Sequence, residues 1–542
     1  MKFSNYINKM MMLSVIAMAM SMTMLSCSDK DVDEMVPPVE PDDSKEYVIE
    51  VEAGMSMPEN NFLDVPATTD CDQNVVNALM AIDKVTDVKA FKLQSHYDYY
   101  NEEIVTKTAY YFNYKQDIDH NDPSKGWFKQ QCVLTMEGKD RPTVLHTQGY
   151  ALEGDCNKLT DIGEPTLVSV LEANCLQVEH RYFGWSLPEG YTNKWNYLDA
   201  KQQSDDLHAI VTAIKQSGII DKSSKWLSTG VSKNGMTTAF YAYHYPNEMD
   251  AYVPFCAPFL VDLSDKRPYT YILSKEAFDE DTEKLEMVKA SFANLFSDKQ
   301  LQLECMQMYK NMKTNLDQMT DEQILSDMKW EMLYNYYPRM SYVAFDRWEA
   351  MIPKAGDPAE KYIKYIMANE DMQYPGETEE QFYRRKELDD DLNEEYDFWS
   401  TPFATTRATG EKRRHAPYYV QACKELGNYV IVPSWVEHLM TPAEKELVTR
   451  SMNPVEYGVT YDNGKFVKNV LEGLKQSTCH MMFVYGTQDP WTGGQIPDDK
   501  MGVNIKKLFI QKGIHDDFID FWNQSEKAEL FKWLYSLGFD VG

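Results

Sequence analysis

Between residues 142 and 245 the chain alternates short apolar runs with helical patterns, and this rhythm restricts it to a covered, mostly parallel sheet. Pro142-Thr143-Val144-Leu145-His146-Thr147 and Leu176-Gln177-Val178-Glu179-His180-Arg181 read as buried strands. Residues 202–216 place Leu207, Ile210, Val211 and Ile214 at i, i+3, i+4 and i+7, the spacing of an amphipathic helix. Trp226-Leu227-Ser228-Thr229 is a third strand. Apolar strands separated by helices predict an α/β fold with both sheet faces buried. Upstream, 106–137 is β-like and broken by the turn cluster Asp119-His120-Asn121-Asp122-Pro123.

The rhythm stops near 265 and returns at Met481-Met482-Phe483-Val484-Tyr485, followed by a strand at Lys507-Leu508-Phe509-Ile510 and a helix over roughly 524–536. Between them helical patterns dominate, at 272–295, 298–318, 321–335, 358–369, 377–395 and 441–451. The expected layout is therefore a core in two parts, 46–264 and 476–542, split by a mostly helical cap at 265–475.

The first 26 residues carry Lys2 and Lys9, then an apolar stretch from Met10 to Leu25, then Ser26-Cys27. This is the pattern of a lipoprotein signal peptide, with Cys27 as the lipidated residue. Residues 27–45 read as an acidic tether, and folded structure is expected to begin near Tyr47-Val48-Ile49, a short β pattern. Ser28-Asp29-Lys30-Asp31 resembles an export tag for the outer membrane or cell surface of some Gram-negative bacteria. The expected membrane contact is a lipid anchor alone, since no later apolar run is long enough to span a bilayer.

The formal net charge of −31 argues against a nucleic-acid partner, which needs a basic face. The acidity is clustered: residues 370–397 hold twelve acids and three bases. No C-x-x-C pair occurs among the nine cysteines, and no metal cluster or nucleotide loop is evident, so no metal and no cofactor are expected. In an exported chain Cys71, Cys156 and Cys175 are candidate disulfide partners.

Gly230-Val231-Ser232-Lys233-Asn234-Gly235 follows a strand and opens a helix at roughly 234–245. A serine on such a tight strand-to-helix turn is a candidate nucleophile. Asn234 replaces the expected second glycine, and asparagine tolerates positive φ better than most residues. The nucleophile needs a base. His515, after the last strand, is the best placed of ten histidines. Asp489, after the strand at 481–485, is the expected acid that fixes the imidazole, in the chain order Ser, Asp, His of α/β-hydrolases. Oxyanion donors are expected from the backbone of Lys233 and from the loop Gln148-Gly149-Tyr150.

Five stretches taken together, Phe112-Asn113-Tyr114-Lys115-Gln116-Asp117-Ile118-Asp119-His120, Thr147-Gln148-Gly149-Tyr150, Glu179-His180-Arg181-Tyr182-Phe183-Gly184, Gly230-Val231-Ser232-Lys233, and Tyr485-Gly486 to Asp489-Pro490-Trp491, resemble the secreted tripeptidyl aminopeptidase family of proline-preferring serine peptidases. The resemblance implies an α/β-hydrolase core under a helical cap, Ser232, Asp489 and His515 as triad, and release of short peptides, expected to be tripeptides, from free N-termini after proline. Peptides are thus the expected partners. An esterase with the same triad and a non-catalytic surface binding lipoprotein are the alternatives.

An aminopeptidase also needs a carboxylate for the substrate ammonium. Glu331, Asp346 and Glu349 are candidates, with Trp330, Tyr334, Tyr337 and Trp348 as a proline pocket or simply as core between helices. Glu179 and Arg181 are expected to pair within the sheet rim rather than to line the pocket.

Overall fold

The computed structural model describes residues 65–98, 103–152, 162–188, 195–312, 316, 319–367, 417–516 and 518–541. The signal peptide, Cys27, the tether, Cys156 and the helical pattern at 377–395 lie outside them. Nine strands form one sheet: β1 Val85–Asp98, β2 Glu103–Asp117, β3 Trp127–Thr135, β4 Thr143–Thr147, β5 Asn174–Val178, β6 Trp226–Val231, β7 Ala251–Phe255, β8 Met481–Gly486 and β9 Ile505–Ile510. Their order is β1-β2-β3-β5-β4-β6-β7-β8-β9. The first three strands and the β3–β5 pair are antiparallel, and from β5 to β9 every neighbour is parallel. This is the mostly parallel, covered sheet expected from the strand–helix rhythm, in the α/β-hydrolase arrangement that the resemblance implies.

Side-chain alternation divides the core between two faces. Along β8, Met481, Phe483 and Tyr485 join the cluster that contains helices Ala200–Ser217, Lys233–His244 and Lys465–Gln476. Met482 and Val484 join the opposite cluster, closed by Thr166–Val170 and Gln524–Ser536. Each such side chain, taken fully out of water, contributes roughly 1.5–3 kcal/mol. Helix Lys465–Gln476 lies on the cap side of the boundary expected at 475. Its Val467, Val470, Leu471 and Leu474 nevertheless pack on the sheet.

The elements not expected include helices Gln73–Met80, Thr166–Val170 and Lys465–Gln476 and strands β1 and β7. In β7, Pro254 sits inside a fully buried parallel strand and pairs in register with Gly230. The strand expected to run to Arg181 ends at Val178. Beyond it the chain turns, with Tyr182 at φ 69° and Gly184 at φ 48°. Glu179 is buried there and accepts from the N–H groups of Leu152, Trp185 and Ser186, from Ser186 Oγ and from Gln131 Nε2. Arg181 donates Nε and Nη2 to Asp206 at 2.7 and 2.6 Å, with both side chains wholly buried.

The cap has its own aromatic-rich core. Its longest helix, Asp321–Tyr342, opens with a Thr320–Gln323 capping box and continues through Pro338, seven residues beyond the expected end. Cys71 and Cys175, named above as disulfide candidates, are free thiols, Cys175 buried within β5. Among the described residues no helix is long and apolar enough to cross a membrane.

Candidate active site

Ser232, at the end of β6, has φ 61° and ψ −126°. A non-glycine residue in this region costs roughly 1–3 kcal/mol of strain and persists only where its surroundings hold it. The Ser232 N–H donates to Phe255 O at 3.0 Å, and Ser232 O accepts from Met236 N–H at 2.9 Å. The turn is thus tied to β7 on one side and to helix Lys233–His244 on the other. A Cβ on Gly230 would meet the Asn234 carbonyl carbon at 2.6 Å, and one on Gly235 would meet Phe255 O at 2.5 Å. Gly235, not residue 234, is therefore the second position where the elbow demands glycine. Asn234 is helical and is not among the positive-φ residues, so the tolerance expected of it is not used.

Asp489 and His515 leave the ends of β8 and β9, two and three strands along from β6. Gly486 and Gly513 pack backbone to backbone, and Gln488 N–H donates to Gly513 O at 2.9 Å, so the two loops close on each other. His515 Nδ1 lies 2.8 Å from Asp489 Oδ2, and both side chains are buried. Asp489 Oδ1 accepts from the Trp491 N–H at 3.0 Å. The His515 N–H donates to Ser341 O of the long cap helix at 2.7 Å. Tyr342 meets the imidazole edge-on at 5.8 Å, and Trp491 lies 6.1 Å from it. His515 Nε2 is buried and has no hydrogen-bond partner among the described residues. It therefore makes no bond to Ser232 in this state; catalytic hydrogen bonds often tighten only when substrate is bound.

Sequence reading did not single out Cys256, the residue after β7. Its thiol, the Asp489 carboxylate and a His515 ring nitrogen lie within 4.8 Å of one another. Burial and the neighbouring carboxylates push this thiol well above its usual range. The protonated S–H lies 3.8 and 3.7 Å from the carbonyl oxygens of Ile514 and Asp516, and a protonated thiol does not suit a metal ligand, which must be deprotonated.

The oxyanion candidates separate. The Lys233 N–H belongs to the first turn of its helix, where no intrahelical carbonyl is available. The Gly149 N–H, also expected to serve, donates instead to Asn234 Oδ1 at 2.6 Å. That corrects the role expected of Gly149 and leaves the Tyr150 backbone as the candidate of that loop. Gly149 keeps its close-packing role, because a Cβ there would meet Lys233 at 2.8 Å.

The expected substrate-pocket residues divide differently. Trp348 is buried in the cap core against Phe345 and Tyr336. Trp330 and Tyr334 stack on each other at 4.7 Å. Glu331 lies near Asn335, whose Nδ2 points to it at 3.4 Å. All three are on the early and middle turns of the long cap helix, whereas its last turn touches His515. Nearer the Asp489–His515 pair stand Tyr342 and Trp491, with Tyr337 and Tyr429 packed on Trp491 and stacked on each other at 4.2 Å.

A strained serine on an elbow, a buried Asp–His pair two loops away and a parallel sheet beneath a helical cap define a serine hydrolase of the α/β-hydrolase class. The family described as PS-10 peptidase S37 matches residues 82–301. The chain is also 27% identical over 381 residues to the prolyl tri/tetrapeptidyl aminopeptidase of Streptomyces mobaraensis, covering 70% of this chain and 69% of that protein. Both matches bear out the resemblance read from the sequence. Solved structures similar to the chain include a proline iminopeptidase of Mycobacterium smegmatis, 12% identical with a TM-score of 0.33 over 76% of this chain and 95% of that one. Another is an α/β fold family hydrolase of Bacillus anthracis, 13% identical with a TM-score of 0.29 over 76% and 95%. The fold assignment rests on the strand order, not on these scores.

Proposed function

We propose that the protein is a serine aminopeptidase that removes tri- or tetrapeptides from free N-termini, cutting after proline. The observation that carries this is the Asp489–His515 pair, buried beneath the cap with Nε2 unpartnered. Ser232 Oγ attacks the scissile carbonyl carbon and its proton passes to His515 Nε2. The Lys233 and Tyr150 N–H groups hold the oxyanion. The imidazolium returns the proton to the leaving amine, and water then repeats the sequence on the acyl-enzyme. Asp489 stays ionised and keeps Nδ1 protonated. The aromatic surfaces of Tyr342 and Trp491 beside the imidazole suit a proline ring. The prolyl tri/tetrapeptidyl aminopeptidase of Streptomyces mobaraensis supports the same substrate class.

A fluorophosphonate probe is expected to label the protein and not the Ser232→Ala variant. Peptides with a free N-terminus and an internal proline should be cut, and their N-acetylated forms should not. Labelling that survives in the variant, or cleavage of short-chain esters alone, overturns the reading. We further propose that Cys27 carries the lipid that anchors the enzyme at the cell surface; palmitate incorporation lost in Cys27→Ser tests it.

A further inference from the structure

The loop carrying the second oxyanion donor is bonded by the two side chains that directly follow the nucleophile. Asn234 Oδ1 accepts the Gly149 N–H at 2.6 Å, and Asn234 Nδ2 donates to Gln148 Oε1 at 3.1 Å. Lys233 Nζ donates to Gly149 O. One residue earlier, Thr147 Oγ1 donates to Asn234 O at 2.9 Å. On the far side the His180 N–H donates to Tyr150 O at 3.0 Å. The Lys233 ammonium also lies 5.1 Å from the Tyr150 ring and 4.8 Å from the Phe183 ring, and the residue is buried. The Gly149 peptide group is therefore gripped at its N–H and at its carbonyl, from the same helix turn that presents the Lys233 N–H.

We propose that Asn234 and Lys233 are positioning residues that set the distance between the two halves of the oxyanion hole. The inference rests on Ser232 being the nucleophile. Asn234 fixes where the Gly149–Tyr150 peptide stands relative to the Lys233 N–H, because its side chain bonds that loop while its backbone adjoins Lys233. Truncating it leaves the Gly149 N–H buried without an acceptor and removes the bond that fixes the loop. A displacement near 1 Å at reacting groups costs on the order of 100-fold in rate. Both side chains are buried and bonded to the loop, so the expected loss belongs to the transition state.

The test compares Asn234→Ala, Asn234→Asp and Lys233→Met with wild type. The readouts are kcat and KM on a free prolyl peptide, affinity for a peptidyl boronic acid whose tetrahedral oxygen enters the hole, and melting temperature. Asn234→Ala is expected to lower kcat by about 10–100-fold, to leave KM within about threefold, and to weaken boronate binding in parallel with kcat/KM. Asn234→Asp keeps the acceptor for Gly149 and should recover part of kcat. If the alanine variant does not fold, Asn234→Ser, too short to reach Gly149, should show the same kcat loss. Wild-type kcat in Asn234→Ala, or equal losses in peptide and boronate binding with kcat unchanged, overturns the proposal. Failure of the fluorophosphonate probe to label wild type would instead remove the nucleophile reading on which it rests.

Discussion

Replacing Asp489 with asparagine tests the site without changing its shape. The carboxylate is wholly buried, with Oδ1 bonded to the Trp491 N–H at 3.0 Å and Oδ2 to His515 Nδ1 at 2.8 Å. An asparagine can satisfy Trp491 only with its carbonyl oxygen. The opposite orientation would set an NH₂ against a buried N–H and leave that donor unpaired, at a cost of roughly 1–3 kcal/mol. The amide NH₂ must therefore face Nδ1, and Nδ1 must be the unprotonated nitrogen. The ring proton then sits on Nε2, which can no longer accept the proton of Ser232. The same exchange in the serine-protease triad lowers kcat by about 10⁴, or roughly 5 kcal/mol of transition-state stabilisation. We expect Asp489→Asn to show a loss of this size in kcat, with KM within a few-fold and a melting temperature near wild type. Fluorophosphonate labelling should slow in parallel. A loss below about tenfold with folding intact would refute the tautomer argument, and with it Asp489 as the residue that orients His515.

Gly235→Ala places a Cβ 2.5 Å from Phe255 O and 2.9 Å from Gly230 O, both backbone atoms, so it should disrupt the elbow, losing probe labelling along with at least about 1–3 kcal/mol of stability; unchanged labelling would contradict the close approach. Arg181→Met leaves the buried Asp206 carboxylate without its guanidinium and should cost about 3–5 kcal/mol by urea denaturation, partly recovered by adding Asp206→Leu; a loss under about 1 kcal/mol would show that the pair is not needed. Burial raises the Glu425 carboxyl to about 7. A carboxyl raised on folding contributes stability that is full below its unfolded value and is lost as pH rises through about 7. Wild type should therefore lose on the order of 1–3 kcal/mol relative to Glu425→Gln between pH 5 and 8, and a pH-independent gap in melting curves would refute this.

Ser232 and the Asp489–His515 pair could be placed from the sequence because each residue follows a strand whose apolar run is visible there, and each sits on a loop only a few residues long. Ser232 lies next to β6, Asp489 three residues past β8, and His515 five past β9. The strand between them was not legible. Pro254 removes a ladder donor and reads as a break, yet its neighbours Ala251, Tyr252, Val253 and Phe255 are all buried. Missing β7 also concealed Cys256, which stands beside the Asp–His pair only because β7 lies between β6 and β8.

The side chains that surround His515 were not legible for a different reason. The aromatic spacing in 330–348 marks a helix, but periodicity does not say which end of a helix reaches a site on another domain. Glu331 and Ser341 are ten residues apart, about 15 Å along the axis, and it is the later residue whose carbonyl takes the His515 N–H. Pro338, which reads as a helix end, lies inside this helix and carries it to the site. Asn234 shows the same limit in reverse. Judged locally it is a departure from the glycine expected after the nucleophile, and a liability to the turn. Its partners lie 85 and 86 residues earlier, on Gly149 and Gln148. With Gly235 providing the close approach, position 234 has room for a side chain, and the amide there joins the nucleophile turn to the loop that must move with it.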